Sequence, residues 1–282
     1  GVILSTDALI YIEDVTGTPY NDTLIGDLHA NILIGGGGYD VIRGLSGTDT
    51  LIGGEGNDEL YGGFDSDILN GGVGADKLYG VEADPTVVDN VGKDTASYED
   101  APGGVDVSLA TGSGTAGEAA GDTLVGIVNL TGSDYDDTLT GADSNNVLIG
   151  GAGNDALTGG GGYDTASYVT SAAGINASLL TRTAADGFGT TDILSGIEDL
   201  RGSDHDDTLI GDAGPNYLRG GAGNDILDGS GDSITYDSIN DHDFLEGESG
   251  DDILKDRGGD DVLDGGFGND TVSYEAAAAG VT

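Results

Sequence analysis

"GGGGYDVIRGLSGTDTLIGGEGNDELYGG", residues 35–63, repeats itself every nine residues. Each unit opens on a glycine-rich turn, places an acidic residue at its sixth position and a lone apolar residue at its eighth. Extending that register outward gives units from Gly17 to Asp89, from Gly132 to Gly159 and from Gly202 to Gly265. The eighth position reads Leu24, Leu33, Ile42, Leu51, Leu60, Leu69 and Leu78 along the first array, and nowhere in the chain is it charged. The sixth position carries Asp22, Asn31, Asp40, Asp49, Asp58, Asp67, Asp76 and Asp94, then Asp137, Asn146, Asp155 and Asp164. In the last array it carries Asp207, Asn216, Asp225, Asp243, Asp252, Asp261 and Asp270. Pro85 and Ile234 are the exceptions. The second unit of every array has Asn at this position, which points to duplication of a larger block.

One inward residue flanked by two outward ones describes a three-residue strand, and the six residues before it describe a turn. Glycine supplies the positive φ and the close backbone approach such turns need. A strand this short cannot fold alone, so the units must stack. Two units per coil give a solenoid whose parallel strands lie about 4.8 Å apart. Helix is disfavoured, because each glycine would cost a helix about 1 kcal/mol.

The 282-residue chain holds 55 Gly, 52 Asp plus Glu and only 8 Lys plus Arg, for a formal net charge of −44. A composition this acidic can mean disorder, but here the apolar residues recur at fixed spacing. The charge opposes compaction by self-repulsion, so the fold calls for a cation that the sequence does not supply. No basic patch exists to neutralise phosphates, which excludes nucleic acid as a partner. The absence of Cys excludes disulfides, thiolate metal sites and thiol nucleophiles. No apolar run approaches the ~18 residues of a membrane-spanning helix, and no amino-terminal signal peptide is visible.

In a two-unit coil Asp22 lies below Asp40, then Asp58, then Asp76. Carboxylates repeated every ~5 Å repel by roughly 1 to 3 kcal/mol per neighbour at a surface-like dielectric, so the stack predicts an ion between layers. Ligands made only of carboxylate and turn carbonyl oxygens select a hard cation of flexible coordination, Ca²⁺ over Zn²⁺ or Mg²⁺. "GGEGNDELY" (53–61), "GGAGNDALT" (150–158), "GGAGNDILD" (220–228) and "GGFGNDTVS" (265–273) resemble the GGxGxDxUx nonapeptide of the RTX, or hemolysin-type, calcium-binding repeat. The resemblance covers about two thirds of the chain. It implies an all-β, right-handed parallel β-roll with several Ca²⁺ ions between turns, folding outside the cell after type I export. Pro85 and Ile234 break the pattern and supply no carboxylate to it.

The interruptions at 98–131 and 168–201 have equal length, start with Tyr after Ser and contain two apolar runs each. They read as ordered β spacers joining neighbouring rolls. The expected organisation is therefore the end of a spacer at 1–16, arrays at 17–97, 132–167 and 202–273 with spacers between them, and the start of a spacer at 274–282. Both ends cut a spacer, so the chain reads as an excerpt or processed piece of a longer array.

No catalytic constellation is recognisable. His29, His205 and His242 fall in turns, and "SDHDD" (203–207) reads as a surface turn ahead of a His-carboxylate metal site. On the first array Ile32, Ile34, Ile52, Ile68 and Val88 share an outward face, read either as a lateral interface or as a face covered by a spacer strand. Tyr61 and Tyr79 also share a face, too few for the aromatic stripe expected of a polysaccharide-binding surface. The sequence thus predicts a non-enzymatic, calcium-rigidified segment of an extracellular or cell-surface protein, such as an adhesin, surface-layer or filament building block, self-associating through its ends or that apolar face. The alternative is the calcium-dependent folding and export module of a secreted protease, lipase or epimerase whose catalytic domain lies elsewhere.

Overall fold

The computed structural model describes residues 12–81, 92–230, 242–257 and 259–275. Pro85, Val88 and Ile234 lie outside them. Regular structure among the described residues is β throughout, except for one 3₁₀ turn at Gly117–Ala119. The chain falls into two units, Gly1–Ser133 and Asp134–Thr282.

In the first unit, Asp14–Thr16, Ile32–Gly38, Thr50–Gly56, Ile68–Val73, Thr95–Ser97 and Asn129–Thr131 follow one another as parallel neighbours of one sheet. Thr23–Ile25, Val41–Ser46, Glu59–Phe64 and Lys77–Tyr79 build the other in the same way. Leu33 pairs with Leu51 and Leu51 with Leu69, while Ile42 pairs with Leu60 and Leu60 with Leu78. Consecutive nonapeptides therefore alternate between two sheets, and each coil consumes two of them. The eighth-position side chains line the space between the sheets: Leu33, Ile42, Leu51, Leu60, Leu69 and Leu78 are at most 1% exposed. Each such burial contributes about 2 kcal/mol, and stacking is what makes it available to so short a strand.

Several strands are longer than the three residues expected from the period. Ile32–Gly38 and Thr50–Gly56 run for seven residues because ladder pairing continues into the turn, through Gly36 opposite Gly54 and Gly38 opposite Gly56. At Gly54 and Gly56 φ is +111° and +140°, and a Cβ on either would collide with the carbonyl of Gly36 or Gly38 in the layer beneath. Glycine is required there by close approach as much as by conformation.

Each spacer inserts an antiparallel meander into a parallel sheet. In the first unit Asp106–Ser108, Ser113–Ala116 and Thr123–Val125 pair in succession, and Thr123–Val125 then joins Lys77–Tyr79 in parallel. In the second unit Asn176–Ser178, Thr183–Ala185 and Thr191–Ser195 do the same. Thr191–Ser195 docks on Ala156–Thr158, and Asn176–Ser178 on Thr208–Ile210. Nonapeptide stacking resumes with Thr208–Ile210, Ile226–Asp228, Ile253–Lys255 and Thr271–Ser273 in one sheet. Asp199–Arg201, Tyr217–Ala222, Phe244–Ser249 and Val262–Asp264 continue the other.

The register read from sequence needs one correction. The turn opening at Gly80 meets the carboxylate of Asp94, and the turn opening at Gly229 meets that of Asp243. The units placed at Gly80 and Asp89 are thus a single turn carrying nine extra residues, and so are those placed at Gly229 and Ser238. On the outward face of the first unit, Ile32 and Ile68 are 44% and 45% exposed, whereas Ile34 and Ile52 are half-buried. The rings of Tyr61 and Tyr79 stack on each other at 4.8 Å, with the Arg43 guanidinium over Tyr61.

Candidate metal centres

The sixth-position side chains form ladders along the edges of the stack. Each Oδ1 accepts the backbone N–H of the sixth-position residue one coil below. Asp22 donates to Asp40 at 2.7 Å, Asp40 to Asp58 at 2.7 Å and Asp58 to Asp76 at 2.7 Å. On the opposite edge Asn31 donates to Asp49, Asp49 to Asp67 and Asp67 to Asp94. In the second unit Asp137 donates to Asp155, Asn146 to Asp164, Asp207 to Asp225, Asn216 to Asp243, Asp225 to Asp252, Asp243 to Asp261 and Asp252 to Asp270. The stacked carboxylates do not simply face one another as like charges. One oxygen of each is consumed by a backbone donor, and a charged acceptor makes such bonds worth about 1.5–3 kcal/mol.

The other oxygen separates two kinds of layer. In the interior layers Oδ2 of Asp40, Asp49, Asp58, Asp67, Asp76, Asp155, Asp164, Asp225 and Asp252 is buried with no hydrogen-bond partner. Each points at the first glycine of its own turn. A Cβ on Gly53 would lie 2.5 Å from Oδ2 of Asp58 and 2.5 Å from the carbonyl oxygen of Gly71 in the next coil. A carboxylate oxygen and a carbonyl from adjacent layers therefore converge on a cradle that only the missing side chain keeps open. An unpaired buried carboxylate oxygen is among the costlier things a fold can contain, and oxygen donors in this arrangement are the ligand chemistry of Ca²⁺.

At the start of each array the same position closes its own turn. Oδ1 of Asn31, Asn146 and Asn216 accepts the N–H of Asp27, Ala142 and Asp212 at 2.8, 2.7 and 2.7 Å. Oδ2 of Asp22 takes the N–H of Thr18, and that of Asp207 takes the N–H of Ser203. In these layers no oxygen is orphaned.

Burial pushes the interior carboxyls upward, against the opposing effect of the N–H each accepts. Asp67 and Asp155 rise to about 8, Asp76 and Asp225 to about 7, and Asp49 and Asp164 to about 6, with adjacent carboxylates adding to the shift. The protein's own cations do not relieve this. Among the described residues Lys77–Glu59 and Arg257–Asp228 are ion pairs and the His29 ring lies 3.0 Å from Asp27 Oδ1, and none of these contacts involves an orphaned oxygen. Nor does any group of three or more His, Cys, Asp or Glu side chains gather to hold a metal among the described residues. A metal held here would draw one carboxylate per layer and take its remaining ligands from turn carbonyls.

Sequence reasoning missed the acids that carry the ladders through the spacers. Asp122 accepts the N–H of Asp76, Asp192 that of Asp155, and Glu198 that of Asp164. They sit 46, 37 and 34 residues away from their donors, so no fixed period exposes them. The pairing of an acid with the strand that follows it, "GDTL" at 121–124 and "TDIL" at 191–194, is the signal that could have found two of them.

Stacked two-turn coils with one inward carboxylate per turn define the parallel β-roll class of solenoid. The model of the RTX calcium-binding nonapeptide repeat matches residues 10–42, 43–78, 131–166, 201–233 and 239–272. These segments make up more than half of the chain, and the protein belongs to that family. The family is a structural calcium-binding repeat, so Ca²⁺ is the ion its turns imply. Comparison with curated proteins returned no match.

Proposed function

We propose that this chain is a calcium-rigidified structural segment of a secreted or cell-surface protein, serving in an adhesin, surface layer or extracellular filament. The observation that carries the reading is the run of buried, unpartnered Oδ2 atoms at nine of the nonapeptide turns, each facing a glycine cradle. Asp40, Asp49, Asp58, Asp67, Asp76, Asp155, Asp164, Asp225 and Asp252 are the ligands this geometry favours, together with Asp94, Asp137, Asp243, Asp261 and Asp270 in the same ladders. Asp22, Asn31, Asn146, Asp207 and Asn216 act as turn caps.

Calcium supplies the charge that these carboxylates lack. In a calcium-poor cytosol the charged chain stays unfolded and threadable; at an extracellular concentration of roughly 10⁻³ M, binding free energy becomes folding free energy. The exposed Ile32 and Ile68 favour self-association on the first-array face over an isolated folding module. Sedimentation velocity with calcium raised from zero to about 10 mM, a range bracketing extracellular-class affinities, tests the reading. Compaction followed by concentration-dependent large species is expected; compaction that stops at a monomer would support the export-module alternative, and no compaction would overturn both.

A further inference from the structure

The two spacers share an apolar frame and differ in charge. In the second, Leu179, Leu194, Gly196 and Ile197 line a cavity of about 210 Å³ together with Arg182, Glu198 and, from the turn that follows, Asp212. Leu179, Leu194 and Ile197 are buried and form its apolar wall. At the same distances from the start of the first spacer stand Leu109, Leu124, Gly126 and Ile127, so that part of the lining is identical. Arg182, Glu198 and Asp212 replace Gly112, Val128 and Ala142. The second copy has thus gained one cation and two anions around an unchanged wall.

Arg182 is the costliest of the three to place. Its φ is +59°, in the left-handed region, and Gly112 takes φ +64° at the same point of the first spacer. Glycine meets that turn without penalty, whereas a side chain there is disfavoured, and residues held in such conformations gather at functional sites. The turn is closed by backbone alone: the Arg182 N–H donates to the Leu179 carbonyl at 3.2 Å, and the Arg182 carbonyl accepts the N–H of Leu194 at 2.9 Å. The fold makes no use of the guanidinium, which among the described residues forms no ion pair and no hydrogen bond. Both carboxylates, by contrast, are anchored. Glu198 Oε2 accepts the N–H of Asp164 and Asp212 Oδ1 that of Gly214, each at 2.9 Å, and the second oxygen of each is unused among the described residues.

We propose that this cavity binds a small zwitterion of the α-amino acid type, its carboxylate on Arg182 and its ammonium on Glu198 and Asp212. The planar guanidinium fork matches a carboxylate, and the three donors of an ammonium match the two acids. Charge disfavours simpler ligands. A lone anion meets a chain of net charge −44, and a lone cation gains nothing from Arg182, the group whose placement costs the backbone most. A metal ion fits no better, since no three His, Cys, Asp or Glu side chains gather for one among the described residues. Leu179, Arg182, Leu194, Ile197 and Glu198 lie outside every segment that the family model matches, so the site belongs to the spacer and not to the repeat.

The test is isothermal titration of the full chain, held folded in saturating calcium, with L-alanine and L-lysine as zwitterionic probes and acetate and methylammonium as their half-ligands. Saturable binding of at least one zwitterion, and of neither half-ligand, is expected. Arg182→Gly, which restores the residue of the first spacer, is expected to weaken that binding by about tenfold or more, as loss of a charge-assisted pair does, while leaving the thermal midpoint unchanged or raised. Asp212→Ala, which likewise restores the first-spacer residue, is expected to weaken it in the same way. Failure of both zwitterions to bind, a half-ligand binding as tightly as a zwitterion, or undiminished binding in either variant would overturn the site. A lowered thermal midpoint in Arg182→Gly would also overturn it, by giving the guanidinium a structural role instead.

Discussion

Asp58 and Asn31 occupy the same place in the nonapeptide and do different work. Asn31 turns its oxygen back onto the N–H of Asp27 and finishes its own turn. Asp58 spends one oxygen on Asp40 in the coil below and leaves the other buried and unpaired against Gly53. Array-starting layers are thus complete as they stand, while interior layers are built around a missing positive charge. On the calcium reading proposed above, stability of the interior is conditional on an ion, and that of the array starts is not.

The strongest way to break the comparison is to withdraw calcium. A site with Kd on the order of 10⁻⁴ M adds about 1.4 kcal/mol at about 10⁻³ M calcium, and the interior offers many such layers against a total stability of ordinarily about 5–15 kcal/mol. Chelation at neutral pH is expected to abolish the β signal in circular dichroism. A calcium-free chain that keeps its full signal at pH 8 would contradict the dependence.

Acid is expected to substitute in part for the ion. Folded-state pKa values of about 6 to 8 at Asp49, Asp67, Asp76, Asp155, Asp164 and Asp225 lie above the roughly 3.9 of an unfolded aspartate. The folded state then binds more protons than the unfolded one. The stability contributed is fully present below about pH 4 and is lost as pH rises through the folded values. Calcium-free protein should consequently recover structure on titration from pH 8 towards 4, whereas saturating calcium should flatten that profile; calcium-free stability that climbs with pH would reverse the sign.

Single substitutions sharpen the contrast further. Gly53→Ala fills the cradle between Asp58 and Gly71 and is expected to destabilise by about 1–3 kcal/mol, as overpacking does, while removing calcium from that layer. Gly103→Ala, with nothing within 4 Å of the added Cβ, should be close to neutral. Asp58→Ala removes the acceptor for Asp40 as well as the free oxygen, loosens the layers above and below, and should cost about 2–3 kcal/mol in calcium-saturated thermal unfolding. Asn31→Ala should cost only about 1 kcal/mol, the value of a lost cap, with no change in calcium count.

Much of this was legible in the sequence because a period of nine repeated along the chain leaves little freedom. Once Leu33, Leu51 and Leu69 are inward, the two-unit coil and the placement of Asp40 below Asp58 follow. Three things were hidden, each for a physical reason. The nine-residue insertions before Asp94 and Asp243 match the repeat length, so they mimic extra units. Asp122, Asp192 and Glu198 enter the ladders across meanders, where sequence separation no longer reports height in the stack. The division between capped and orphaned layers depends on which oxygen meets which N–H. The residue after the first glycine does not report it: the capped turns carry Thr18, Asp27, Ala142, Ser203 and Asp212 there, but Leu45 and Glu248 hold the same place in the turns of Asp49 and Asp252, whose Oδ2 is unpaired.

The central claim is that the unpaired interior oxygens are the calcium ligands, and Asp58→Asn tests it most directly. The amide can still accept the N–H of Asp40 but offers no charge to the cradle at Gly53. Calcium counted by equilibrium dialysis at neutral pH should fall in Asp58→Asn and stay at the wild-type value in Asn31→Ala. Equal counts in wild type, Asp58→Asn and Asn31→Ala would contradict the account.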